Sequence, residues 1–161
     1  ATDVLGYLSL PQPCSDILDD VVPHSLKPRG TRFTFAMLGQ GADSPLRRDA
    51  VAHGQALLIL SGTVSVRLLP PYTSISALDA ALGFLGCGVT ALNLFEEVLP
   101  GLEPVEASLS EGDVLLIPPG WWHQAFCETG PASLALSPYL TEATVPLALA
   151  ELRKLGLEEG E

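Results

Sequence analysis

Residues Leu109–Gln124 read LSEGDVLLIPPGWWHQ, and the reading of this run decides the architecture. Glu111-Gly112-Asp113 is a turn signal between two β-rich apolar segments, Val105–Leu109 and Val114–Pro118. Pro118-Pro119-Gly120 then stops the second segment abruptly, because proline cannot donate to a strand ladder. The stop presents Trp121, Trp122 and His123 at a strand end, which is where a barrel opens.

Working outward, Ser133–Ser137 is another strand. Ala56–Leu60 and Thr63–Leu69 are two more, joined by Ser61-Gly62 as a tight hairpin connection and closed by Pro70-Pro71. Thr31–Leu38 alternates, with Phe33, Phe35 and Met37 on one face and Arg32 and Thr34 on the other. Residues 1–30 are irregular, punctuated by Pro11, Pro13, Pro23 and Pro28, with room for a short helix from Ser15 to Val22. Residues 72–104 change character: one helix is expected over Ala77–Leu85 and a second over Thr90–Leu99, stopped by Pro100-Gly101. The chain closes on a helix over residues 144–156, with Thr144 as N-cap and Val145, Leu149 and Leu152 on one face. The expected whole is a mainly β, jelly-roll barrel in one domain spanning 1–161. Its strands lie in 31–71 and 105–140, with a helical insertion at 72–104 and the C-terminal helix.

Composition narrows the function classes. Hydrophobic residues are 47% of the 161 and charged residues 17%, which excludes a disordered acidic tail despite a net charge of −11. Nineteen acids against eight Lys and Arg would repel a phosphate backbone, so no nucleic-acid partner is expected. The acidity is uneven: residues 1–95 are net −1 and residues 96–161 net −10. The uncharged run Ala80–Phe95 has sixteen residues and falls short of the ~20 needed to cross a bilayer. Cys14, Cys87 and Cys127 are odd in number and form no CxxC pair, so they read as reduced, mostly buried thiols of an intracellular protein. An opening at Ala1 leaves room for a removed targeting segment and an organellar location.

The run Leu109–Gln124 resembles the Jumonji-C-like cupins, a double-stranded β-helix family that includes iron(II)/2-oxoglutarate-dependent protein hydroxylases. Ser44–Asp49 (SPLRRD) and Leu57–Pro71 (LLILSGTVSVRLLPP) look like that family's proximal metal motif and the hairpin after it. The resemblance implies a facial triad of two histidines and a carboxylate holding iron. It makes His123 the distal histidine. The proximal His-x-Asp aligns with Arg47-Arg48-Asp49, so Asp49 survives and the proximal histidine is Arg47. A guanidinium has no lone pair to donate and cannot ligate iron. Val64 stands where the family places a basic anchor for the cosubstrate's far carboxylate, and strand parity puts Arg67 on the opposite face. Trp121 and Trp122 are expected at the pocket rim.

These departures imply a cupin without catalysis, a pseudoenzyme that expects neither metal nor cosubstrate and serves as a structural or protein-binding subunit of a larger assembly. Asp49, His123 and His53 are the relic or alternative metal candidates. A set of Asp49, His53 and His123 would restore an iron(II)/2-oxoglutarate oxygenase by another route, and a small-molecule-binding cupin is the further alternative. Phe84, Leu85 and Val89, in the uncharged run, are the expected partner contacts.

Overall fold

A computed structural model describes residues 34–49, 52–74, 78, 81–82, 86–97, 100–139 and 143–154. The expected irregular segment 1–30 with its helix, Phe33, Phe84 and Leu85 lie outside these. Among the described residues, eight strands form one antiparallel sheet: β1 (Thr34–Leu38), β2 (Leu46–Arg48), β3 (Gly54–Leu69), β4 (Ala81–Leu82), β5 (Gly88–Thr90), β6 (Val105–Ser110), β7 (Val114–Ile117) and β8 (Trp122–Tyr139). Helix α1 (Val145–Lys154) follows Thr144, close to the expected span. No helix among the described residues is long and apolar enough to cross a membrane.

The two long strands, β3 and β8, pair along nearly their whole length from Gly54↔Tyr139 to Leu69↔Trp122. Their ladder slips between Ile59 and Val64, opposite Thr129–Ser133. Ser61-Gly62 is therefore a bulge inside one strand and not the expected hairpin. Gly62 has φ +83°, and a Cβ there would sit 2.9 Å from the Ala132 Cα, so the two backbones close on each other only without a side chain. The same break runs across the neighbours. On the outer edge of β3, β6 pairs with Thr63–Leu68 and β7 with Gln55–Leu58. Between them the Glu111–Asp113 turn is pinned by Gly112 N–H to the Ile59 carbonyl and Ile59 N–H to the Asp113 carbonyl. On the far edge of β8, β1 pairs with Ala132–Leu136 and β2 with Trp122-His123, and the intervening loop is stitched to Ala125 and Cys127. Four lines of strand thus bend at one level and wrap into a double-layered barrel.

The lumen holds the main core: Leu57, Ile59, Val64, Val66, Leu109, Ile117, Cys127, Leu134 and Leu136 are all buried. At about 1.5–3 kcal/mol for each large aliphatic side chain, this burial is a main source of the barrel's stability. β1 faces opposite to its alternation: Ala36 and Leu38 pack on the core, while Phe35 and Met37 are exposed. Pairing sets this face: Thr34 lies opposite Leu136 and Ala36 opposite Leu134, and the inward Leu134 carries Ala36 inward with it. A second cluster outside the barrel joins Leu46, Leu69, Leu78, Leu94 and Trp122.

The insertion differs from expectation. Of the first helix only Leu78, Ala81 and Leu82 are described, the last two as strand. Thr90–Leu99 begins as the end of β5 and continues into a turn at Leu94–Glu96 instead of a helix. Thr90 pairs with Leu46 of β2, the Leu94 N–H that a helix would have used goes to Gln124 Oε1, and the Leu92 N–H goes to Thr90 Oγ1. Cys127 is buried, but Cys87 is exposed, against the expectation of mostly buried thiols.

Candidate functional site

Strand register brings the site together. In the β2·β8 ladder Arg47 lies directly opposite His123, and alternation turns both into the lumen. Asp49, two residues past Arg47, follows on the same side just beyond the end of β2. The Arg47 Nε–H donates to His123 Nε2 at 3.2 Å, and His123 Nδ1 lies 3.3 Å from the Trp121 carbonyl. These contacts suit one tautomer: Nδ1 carries the proton and points at the carbonyl, while Nε2 offers its lone pair to Arg47. Asp49 Oδ2 stands 3.8 Å from the same Nε2. Burial pushes the His123 imidazole below its ordinary pKa; Asp49 pulls it up, Arg47 pushes it further down, and the backbone contact to Trp121 raises it.

A mononuclear iron does not fit these residues. The lone pair that would bind metal is engaged by a guanidinium, and the vacated ligand position carries a fixed positive charge. His53 is half-buried, its Nδ1 has no hydrogen-bond partner, and burial lowers its pKa against the attraction of Asp49. Among the described residues, no three His, Cys, Asp or Glu side chains come close enough to hold a metal, the Asp49, His53 and His123 set included.

Above the Arg47–His123 pair the lumen leaves a cavity of ≈ 60 Å³, lined by Arg47, Ser44 and Gln55 among otherwise mostly apolar side chains such as Leu57 and Leu134. Ligand pockets run to about 300–1,000 Å³, so a five-carbon dicarboxylate has no room without rearrangement. Val64 is fully buried in the core. Arg67 points out of the barrel, where it donates to Glu106 at 2.8 Å and to the Leu94 carbonyl and lies 4.6 Å over the Phe95 ring.

Trp121 packs against the lumen core from one end. Trp122, read as pocket rim, turns the other way: it is fully buried in the outer cluster, with the Arg48 guanidinium 5.1 Å over its ring. Parity decides this, because Trp122 precedes the inward-facing His123 by one residue. Val89 is 52% exposed on β5, while the exposed Leu82 of β4 pairs with Gly88 and so projects from the other face of that ribbon.

Sequence reasoning missed Gln124. Only 2% exposed, it accepts the Leu94 N–H at 2.7 Å and donates to Asn93 Oδ1 at 3.1 Å, holding the 93–97 turn against the barrel. Asn93 in turn donates to Asp43. A glutamine at the end of the Trp-Trp-His phrase was the available signal. Gln55 and Ser44 carried none.

A JmjC domain family model matches residues 92–146, which takes in β6, β7 and β8 and stops short of β2 and β3. With the bent antiparallel barrel and the Gly-Asp to His phrase leading into β8, this match is consistent with a Jumonji-C-like cupin. No curated protein matches it. Similar solved structures include the Drosophila melanogaster CENP-C cupin domain, at 14% identity and TM-score 0.43 over 68% of this chain and 62% of that one. Hydroquinone 1,2-dioxygenase from Sphingomonas sp. TTNP3, with 4-hydroxybenzoate bound, is 18% identical at TM-score 0.45, over 69% and 61%. Vicilin from Corylus avellana is 12% identical at 0.45, over 66% and 23%. The chain spans less than two thirds of the length of each.

Proposed function

We propose that this cupin is non-catalytic and serves as a protein-binding or structural module within a larger assembly. The observation that carries the reading is the Arg47 Nε–H on His123 Nε2: the position of the family's proximal ligand is filled by a cation already bonded to the distal one. Neither metal nor 2-oxoglutarate is needed for such a role, and the buried lumen holds the fold without them. The exposed Val89 on β5 supports a protein contact there, and the acidity of residues 96–161 favours a less acidic partner.

Two measurements test this. Purified protein incubated with iron(II) and 2-oxoglutarate, then desalted, is expected to hold no stoichiometric iron by elemental analysis and to form no succinate. Bound iron at one per chain, or succinate above the no-enzyme blank, overturns the non-catalytic reading. A photo-crosslinking residue at Val89 is expected to trap a distinct protein in cells where one at exposed Gln40 does not. Equal or absent trapping at both positions removes this surface from the proposal.

A further inference from the structure

Among the described residues, the Arg47 guanidinium makes one hydrogen bond, through Nε to His123, and has no carboxylate within 4.0 Å. Four further N–H donors remain on its Nη atoms. It lines the ≈ 60 Å³ lumen cavity, whose other walls include Leu57, Val66 and Leu134. A permanent charge beside apolar walls is costly unless a counter-ion or hydrogen-bond acceptor meets it.

Two neutral polar groups face the same space. Ser44 Oγ already accepts the Ala125 N–H at 2.9 Å, which leaves its own hydrogen to donate. Gln55 has a buried Oε1 with no partner, and a half-turn of its amide exchanges that oxygen for the NH2 donors. A fork of guanidinium donors, a hydroxyl and an amide on one cavity match a planar oxyanion, which arginine recognises bidentately. The apolar walls suit a short hydrocarbon tail on the anion's other side.

We infer that the lumen cavity is a receptor site for a small aliphatic monocarboxylate of the formate or acetate size, held by Arg47 with Ser44 and Gln55. Size and charge set the class. A cavity measured with a water-sized probe needs about 10–15 Å³ to seat one water, so ≈ 60 Å³ seats roughly four non-hydrogen atoms. Asp49, whose carboxylate faces His123, adds a negative charge near the site that a monoanion tolerates better than a dianion. The site is independent of the proposed protein-binding role and stands or falls separately from it.

The test is a titration of the isotope-labelled protein with acetate at constant ionic strength, chloride replacing acetate in the control. Saturable binding is expected with a dissociation constant on the order of 1 mM, a modest affinity for four non-hydrogen atoms. The amide shifts should map to Ser44–Asp49 and His123–Ala125, and the melting temperature should rise along the same isotherm. Arg47→Met should weaken binding at least tenfold, and Arg47→Lys, which keeps the charge without the fork, should also weaken it. Non-saturating shifts, the same response to chloride, or shifts mapping away from those segments would overturn the inference, and the wild-type titration alone is decisive if the variants fold poorly. Unchanged acetate binding in a folded Arg47→Met protein would overturn it too.

Discussion

The Arg47–His123 contact makes a sharp prediction about pH. Burial holds His123 below the ordinary imidazole pKa of 6.5, and the Arg47 charge depresses it further. His53 is lowered as well, chiefly by burial. Below pH 6.5 the unfolded chain takes up protons at these histidines while the folded chain does not. Stability is therefore full above pH 6.5 and is lost as pH falls from there towards the folded-state values. Each such histidine contributes at most about 1.4 kcal/mol per pH unit in that window. Arg47→Met removes one depressing charge but leaves His123 buried and Asp49 in place. The His123 pKa must rise, its window must narrow, and the loss of stability between pH 7 and 5 must shrink. Absolute stability is a poor readout, because methionine gains apolar contact in the cavity while orphaning His123 Nε2, and the two oppose each other. The slope is free of that cancellation. Urea midpoints at half-unit steps from pH 5 to 8 for wild type, Arg47→Met and His123→Gln supply it, with the imidazole followed directly by NMR. His123→Gln should remove this histidine's share of the slope altogether. A steeper slope in Arg47→Met, or an unmoved His123 pKa, would refute the reasoning and mean that Arg47 does not sit on His123 in solution.

Gly62→Ala should cost about 1–3 kcal/mol in chemical denaturation, because φ +83° and the Ala132 backbone both oppose a Cβ. Gln124→Leu should cost a similar amount, since the Leu94 N–H is left buried without its acceptor, and faster amide exchange in residues 93–97 should accompany it. Arg67→Met should destabilise more than Glu106→Gln: the pair itself is largely exposed and worth under about 1 kcal/mol, whereas Arg67 also caps the Leu94 carbonyl. Equal effects in a double-mutant cycle would place the stabilisation in the ion pair instead.

Local chemistry made part of this protein legible from its sequence. Gly112, Pro118-Pro119 and Gly120 act through their own backbones, so both ends of β7 could be read from Leu109–Gln124 without knowing any neighbour, whereas β8 was read only at Ser133–Ser137 and its first half from Trp122 was not. The replacement of a possible ligand by Arg47 was equally local, because no environment gives a guanidinium a lone pair. What Arg47 does instead was not local. Its bond to His123 spans 76 residues and exists because β2 and β8 pair in one register, a property of the sheet. Ser61-Gly62 has the same letters whether it turns a hairpin or bulges a strand, and only the continuous ladder to β8 makes it a bulge. The outward turn of Phe35 and Met37 and the inward turn of Ala36 followed from the register with β8, which sets Ala36 across from the inward Leu134. Residue type sets what a side chain can donate or accept, and pairing across the sheet decides which atom it meets.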